Sequence, residues 1–210
     1  STQKFYIGKG SLVNWIDGIK DAYSELGIIG GKIRVTAKLD GLAGMDYGTC
    51  LATRGNGQKG FDVTKIFDLG VIPVGGRDNG VGEIVLSKKY FDDVLSGVMS
   101  HPRNVVAGIV GTDHDLNPVA KKALDSGAVQ FVPYSQLESI LVDFDELEGR
   151  CDELLSYFIE NTDFYIDGIV AEADNVEVYE HMGYTGHHRK SQIAIKTIGE
   201  TVVLEVVGVE

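Results

Sequence analysis

Residues 33–41 read IRVTAKLDG, an alternating apolar run that ends in a lysine, an aspartate and a glycine. The alternation over residues 33–37 predicts a strand, and Gly41 predicts that the chain turns directly after it. Lys38 and Asp40 would then lie at the end of a strand, which holds a side chain more firmly than a loop does. A lysine surrounded there by cations can lose its proton and act as a nucleophile. The simpler interpretation is a surface lysine that leads into a turn.

Short β-branched runs between clusters of glycine predict further strands. The predicted strands cover residues 50–53, 71–74, 82–86, 166–173, 193–198 and 202–209. The predicted helices cover residues 12–26, 88–100, 118–126 and 135–160. Because the strands come in groups and do not alternate regularly with helices, the pattern predicts an α+β fold with antiparallel sheets.

The composition excludes several classes of protein. Of the 210 residues, 43% are hydrophobic, which is typical of a globular chain with a substantial core. The only cysteines, Cys50 and Cys151, lie far apart, which excludes a disulfide scaffold and a zinc finger. No apolar run approaches the roughly 20 residues of a membrane span. The net charge of −12 argues against a strong non-specific nucleic-acid binder.

Five further stretches combine a charged residue with a glycine turn or an apolar strand. They are the Arg54 loop within residues 53–64, Gly82-Glu83-Ile84, His101-Pro102-Arg103-Asn104, Ile166-Asp167-Gly168-Ile169-Val170 and Ile193-Ala194-Ile195-Lys196. Taken singly, each has a plain structural interpretation, because Asp-Gly is usually a turn and a strand lysine usually lies at an edge. Together with Lys38-Leu39-Asp40-Gly41 they form an ordered series that is far more specific.

This series resembles the nucleotidyltransferase (adenylation) domain of NAD-dependent DNA ligases. The resemblance runs from about Gly10 to Glu210, and it is strongest in the Lys-Leu-Asp-Gly-Leu-Ala stretch at 38–43, the Thr-Arg-Gly loop at 53–55 and the Met-Gly-Tyr-Thr stretch at 182–185. It implies a nucleotidyltransferase (ATP-grasp-like) fold, with antiparallel sheets and flanking helices around a nucleotide cleft. It also implies a single domain over residues 1–210, whose final strand at 202–210 leads into an OB-fold domain.

The resemblance implies an enzyme that forms a covalent lysyl-AMP on Lys38 from NAD. In the complete enzyme, AMP would then pass to the 5′-phosphate of a DNA nick. NAD and Mg²⁺ are the implied cofactors. The implied partners are NAD or AMP, and nicked DNA only together with further domains or a partner subunit, with no membrane. The implied location is cytoplasmic, and a viral or phage origin would fit.

The resemblance also assigns roles to individual residues. The implied catalytic residues are Lys38, Asp40, Glu83, Arg103 and Lys196. The implied nucleotide-binding residues are Ser11, Leu12, Thr36, Lys38, Arg54, Glu83, Arg103, Tyr134, Asp167, Val170, Glu172 and Lys196. Tyr134 would stack on adenine with Val170 on the opposite face, and Glu83 and Asp167 would hold the metal.

Thr36 and Glu172 depart from the family pattern, which has glutamate and lysine at these positions. A carboxylate can accept from the adenine amino group or from two adjacent guanine donors, so Glu172 predicts altered recognition of the base, most simply still of adenine. These departures leave two alternatives open. One is a nucleotidyltransferase or RNA-end ligase with a changed nucleotide preference, and the other is a non-catalytic nucleotide-binding domain.

Overall fold

The computed structural model describes residues 3–6, 9–53, 60–112, 115–185 and 188–196. The strands are β1 (Gln3–Tyr6), β2 (Ile33–Leu39), β3 (Leu42–Asp46), β4 (Leu51–Thr53), β5 (Phe61–Asp62), β6 (Ile72–Pro73), β7 (Gly80–Leu86), β8 (Val129–Pro133), β9 (Ser139–Val142), β10 (Ile166–Ala173), β11 (Tyr184–Thr185), β12 (His188–Arg189) and β13 (Gln192–Lys196). The helices are α1 (Lys9–Glu25), α2 (Lys65–Asp68), α3 (Lys88–Tyr90), α4 (Pro102–Gly111), α5 (Pro118–Asp125), α6 (Leu147–Asn161) and α7 (Val176–Met182). A π-helical turn, Phe91–Leu95, continues α3, and a 3₁₀ turn, Tyr134–Gln136, follows β8.

The chain divides into two compact units. The first comprises Ser1–Val35, Leu141–Cys151 and Gly168–Glu210, and the second comprises Thr36–Ile140 and Asp152–Asp167. Strands β2 and β10 each have residues in both units, because the boundaries fall after Val35 and after Asp167. Lys38 and Asp167 both belong to the second unit.

The first unit contains a five-stranded sheet in the order β1-β13-β10-β2-β9. Strand β13 pairs in parallel with β1 and antiparallel with β10. Helix α1 has one buried face, because its apolar residues recur at the three- and four-residue spacing of an amphipathic helix. The buried residues of that face are Leu12, Trp15, Ile16, Ile19, Ala22 and Tyr23.

The second unit contains a six-stranded sheet in the order β5-β4-β3-β7-β8-β6. Strand β7 lies between β3 and β8 and is antiparallel to both. One apolar cluster packs helices α4 and α5 with this sheet, and Ile84, Ile109, Ala123 and Phe131 are among its most buried residues. This cluster holds β7 in place, and β7 carries one of the predicted site residues.

The predicted α+β class is confirmed, but the sheets are mixed and not purely antiparallel. Strand β1 is parallel to β13, and β6 is parallel to β8. The predicted helix over 135–160 is wrong in its first half, because residues 139–142 form β9 and the helix begins only at Leu147. The predicted helix over 88–100 ends in the π-helical turn at Leu95.

The predicted strand over 202–209 lies outside the described residues, as does Arg54. Among the helices that the structure describes, none is both long and apolar enough to cross a membrane.

Candidate active site

Lys38 is the sixth residue of β2, in a strand whose residues are alternately buried and half-buried. Its Nζ lies 3.0 Å from Oδ1 of Asp167 and donates to Oδ2 of the same carboxylate at 3.4 Å. Both side chains remain partly accessible, with exposed fractions of 23% and 26%. The sequence predicts cations around this lysine, which stays a prediction; the contact of its ammonium within the described residues is with the Asp167 carboxylate.

Glu83 projects from the middle of β7 into a buried environment. It is 8% exposed, and the pairing of β7 with β3 sets it opposite Ala43. Its Oε1 accepts from the backbone N–H of Gly41 at 3.2 Å, and its Oε2 accepts from the hydroxyl of Tyr134. The carboxylate is therefore held from both sides, with the turn after Lys38 on one side and the turn after β8 on the other.

The charge state of Glu83 reflects opposing influences. Burial raises the pKa of this carboxyl, while the Tyr134 hydrogen bond, the Lys38 charge and the Gly41 N–H act in the opposite direction. Burial also raises the pKa of Tyr134, and the neighbouring Glu83 adds to the effect. A neutral tyrosine hydroxyl is thus a steady donor to this carboxylate. Tyr134 is 39% exposed, so part of the residue is accessible, as the predicted stacking on a base requires.

Asp40 faces the start of α4. Its Oδ1 accepts from the Arg103 guanidinium, and its Oδ2 lies 3.1 Å from Nε2 of His101. His101 is the residue that caps α4, and its Nδ1 accepts from the backbone N–H of Arg103 at 3.1 Å. The backbone N–H of Asp40 donates to the carbonyl of Tyr165 at 2.9 Å. Asp40 and Arg103, which the sequence places apart, therefore form one ion pair.

In the first unit, Glu172 is part of a separate polar cluster. It is 8% exposed. Its Oε1 accepts from the Arg34 guanidinium, and its Oε2 accepts from the Gln192 side-chain amide at 3.2 Å. Both oxygens of Glu172 thus accept hydrogen bonds from the protein, and its part in recognising the base stays a prediction.

The remaining predicted residues are placed as follows. Leu12 is buried in α1, while Val170 in β10, Thr36 in β2 and Lys196 at the end of β13 are half-buried. Lys196 pairs with Gly168, where a Cβ would lie 2.2 Å from the carbonyl oxygen of Ile195. The side chain of Ser11 and all of Arg54 lie outside the described residues.

Three residues that the structure places in these clusters, His101, Arg34 and Gln192, have no role predicted from the sequence. His101 stands directly before a proline, and a polar residue followed by proline is a typical start of a helix, so its capping role had a visible signal. Arg34 and Gln192 had none, because their contacts depend on the pairing of distant strands.

No group of three or more histidine, cysteine, aspartate or glutamate side chains in the described residues is arranged to hold a metal. Mg²⁺ is often bound by one or two carboxylates together with substrate phosphates, so this finding and the predicted pair are compatible. However, Glu83 is engaged by two donors and Asp167 by Lys38. The assignment of these two carboxylates as metal ligands remains a prediction.

Comparison with known proteins finds relatives along the whole chain. It is 44% identical over 206 residues to a DNA ligase of Desulfatibacillum aliphaticivorans, an alignment that covers 98% of this chain and 32% of that protein. It is 38% identical over 213 residues to a DNA ligase of Psychromonas ingrahamii, with coverage of 100% and 32%. A DNA ligase of Shewanella baltica is 34% identical over 213 residues, with coverage of 100% and 33%. No protein-family model matches the chain.

The chain thus spans about a third of the length of these curated relatives. It is homologous to one segment of proteins named DNA ligase. Lys38, Asp167 and the Asp40–Arg103 ion pair lie in this chain, of which the alignments cover 98% to 100%.

Proposed function

We propose that this chain is the adenylyltransferase segment of an NAD-dependent DNA ligase. The observation that carries the proposal is the placement of Lys38 at the end of a strand, in contact with Asp167. The turn that follows it is tied to Glu83 and to the Asp40–Arg103 pair. A domain that only binds a nucleotide does not need a lysine held in this way, whereas group transfer through a lysine requires one.

The proposed step is nucleophilic displacement at the α-phosphate of NAD. Nζ of Lys38 forms a bond to phosphorus, the bond from phosphorus to the bridging oxygen breaks, and nicotinamide mononucleotide leaves with that oxygen. The Lys38 ammonium must lose one proton to attack, and the nitrogen loses a second proton to solvent as the phosphoramidate forms. The Asp167 carboxylate in contact with it is placed to orient the amine and to accept the first of these protons. The product on the protein is a phosphoramidate, lysyl-AMP.

The other residues serve binding and charge. Arg103 and Lys196 would neutralise charge that develops on the phosphate oxygens. The fixed carboxylate of Glu83 would accept from a ribose hydroxyl, because its two donors hold it in one orientation. Mg²⁺, bound through Glu83 or Asp167 and the phosphates, would supply further neutralisation. In the complete enzyme, AMP would pass to the 5′-phosphate of a nick, and such a protein would act in the cytoplasm.

Intact-protein mass spectrometry tests this proposal. We expect incubation with NAD and Mg²⁺ to add the mass of one AMP to the wild-type chain and to leave Lys38→Ala unchanged. Lys89→Ala is the matched control, because Lys89 is an exposed lysine of α3 whose side chain is 79% accessible. Labelling from ATP or GTP but not from NAD would contradict the proposed donor, and labelling of Lys38→Ala would contradict the proposed nucleophile.

The Glu172 cluster favours a second candidate, a nucleotidyltransferase with a changed base preference. Removing the charge with Glu172→Gln would release Arg34 from its ion pair. If the cluster reads the base, the ratio of affinities for adenine and guanine nucleotides should change by about fivefold or more. Glu180→Gln, an exposed carboxylate in α7, is the control. An unchanged ratio in equilibrium binding would remove the support for this candidate.

A further inference from the structure

We propose that His101 is a positioning residue for the turn at residues 40–41 that follows Lys38, acting through Asp40. This proposal rests on the proposed function, because it gives the Asp40–Arg103 pair a place beside the reacting lysine. The two nitrogens of the His101 imidazole ring contact two different elements.

The first nitrogen belongs to the helix. Helix α4 begins at Pro102, and Nδ1 of His101 accepts from the N–H of Arg103, one of the helix N–H groups that lack an intrahelical partner. A nitrogen that accepts a hydrogen bond carries no proton. A neutral His101 ring therefore has its proton on Nε2.

The second nitrogen belongs to the turn after β2. Nε2 lies 3.1 Å from Oδ2 of Asp40, so the protonated edge of the ring faces a carboxylate that is only 12% exposed. The other oxygen, Oδ1, accepts from the Arg103 guanidinium. Both oxygens of Asp40 are thus engaged by residues at the start of α4.

These contacts tie the residues that follow Lys38 to fixed elements. Asp40 is held by His101 and Arg103, and its backbone N–H donates to the carbonyl of Tyr165. The next residue, Gly41, donates to Glu83. The amine of a lysine must lie within a few tenths of an ångström of its productive position for efficient attack, so a loosened turn should slow group transfer.

Helix capping alone does not require histidine. Asparagine, aspartate, serine and threonine are the usual capping residues, and each can accept from a backbone N–H. Their polar atoms correspond in reach to Nδ1, and none has an atom at the position of Nε2. The contact with Asp40 is therefore the property that distinguishes histidine at this site.

Two substitutions separate the two roles. His101→Asn keeps a capping oxygen and loses the contact with Asp40, whereas His101→Gln extends an amide toward Asp40 and loses the cap. We expect His101→Asn to melt within about 2 °C of the wild type, while its single-turnover rate of lysyl-AMP formation falls about tenfold. We expect His101→Gln to retain more of that rate and to melt lower. Equal rates for His101→Asn and the wild type would overturn the proposal.

A double-mutant cycle tests whether His101 acts through Asp40. In an Asp40→Asn background, His101→Asn should slow lysyl-AMP formation by less than about twofold, because the contact between His101 and residue 40 is already weakened. A full tenfold loss in that background would show that His101 acts independently of Asp40 and would overturn the proposal.

A spectroscopic measurement separates this inference from the proposed function. In a long-range ¹H–¹⁵N spectrum at about pH 8, where histidine is generally neutral, His101 should show the tautomer protonated at Nε2. The tautomer protonated at Nδ1 would refute the positioning contact whether or not the chain forms lysyl-AMP. Absence of lysyl-AMP in the wild type, with the expected tautomer present, would refute the proposed function instead.

Discussion

The buried carboxylate of Asp46 joins two segments of the second unit. It is 1% exposed, and its carboxylate accepts two hydrogen bonds from the Arg77 guanidinium, at 2.8 and 2.7 Å. The backbone N–H groups of Gly48 and Asp78 donate to it as well. The Arg77 guanidinium also stacks over the ring of Phe67, 4.1 Å from its centroid. One carboxylate therefore joins the end of β3 to the segment that precedes β7.

This cluster predicts a dependence of stability on pH. The Arg77 hydrogen bonds, followed by those from Asp78 and Gly48, hold the pKa of Asp46 below its ordinary value despite burial. A carboxyl with a lowered pKa in the folded state contributes stability that is complete above its unfolded pKa, about 3.9. That contribution is lost as the pH falls through the folded pKa.

We therefore expect the free energy of unfolding to fall between about pH 5 and pH 3, and to fall less steeply in Asp46→Asn. At neutral pH, Asp46→Asn should cost about 3 kcal/mol, because it leaves the charge of Arg77 uncompensated. Urea unfolding at several pH values measures both quantities. Asp152→Asn, an exposed carboxylate in α6, is the control and should retain the wild-type slope. A slope in Asp46→Asn equal to that of the wild type would contradict the prediction.

At the scale of elements, pairing and capping override local preference. Residues 140–142 carry apolar side chains inside a long acidic stretch that predicts a helix, yet residues 139–142 pair in the five-stranded sheet as β9. Strand β3 contains a glycine and an aspartate, both poor strand formers, but β4 and β7 pair with it on both sides. Helix α4 contains three valines and two glycines, and it forms after a proline and the His101 cap.

The close approach of the Gly41 turn to β7 predicts a second outcome. A Cβ at Gly41 would lie 2.1 Å from the carbonyl oxygen of Ile84, so Gly41→Ala requires the backbone to move. We expect a loss of about 1–3 kcal/mol in stability and at least a tenfold slower formation of lysyl-AMP.

Gly18→Ala is the matched control for this glycine substitution. Gly18 lies inside α1 and has nothing within 4 Å of an added Cβ, so alanine should stabilise the protein by about 0.5–1 kcal/mol. Chemical denaturation of the two variants compares the same atom added at two sites. Equal stability changes in the two variants would contradict the proposed close approach.

At the scale of the whole molecule, charge limits the partners of the chain. Its net charge is −12 and its isoelectric point is about 4.8. Tight binding to duplex DNA draws most of its free energy from phosphate contacts by cationic residues, and an acidic surface opposes them.

We therefore expect the chain to form lysyl-AMP and yet to bind nicked duplex DNA weakly, with a Kd above about 10 μM at 0.15 M salt. Fluorescence anisotropy with a labelled nicked duplex measures this affinity. The same duplex with a sealed strand is the control, and it should bind equally weakly. Tight binding to the nicked duplex alone would contradict the prediction.

The local order of residues was sufficient to predict the α+β class, the strand Ile166–Ala173, and the positions of Lys38 and Asp40 at a strand end and of Glu83 and Asp167 in strands. It did not predict the helix that begins beside Arg103. Alternation and glycine placement are local properties, so a sequence displays them directly. The contacts of those side chains were decided only in the folded chain. Lys38 meets Asp167 across 129 residues, and Tyr134 meets Glu83 across 51. Such pairs depend on sheet register and packing, which bring together residues whose neighbours in sequence give no sign of the partner.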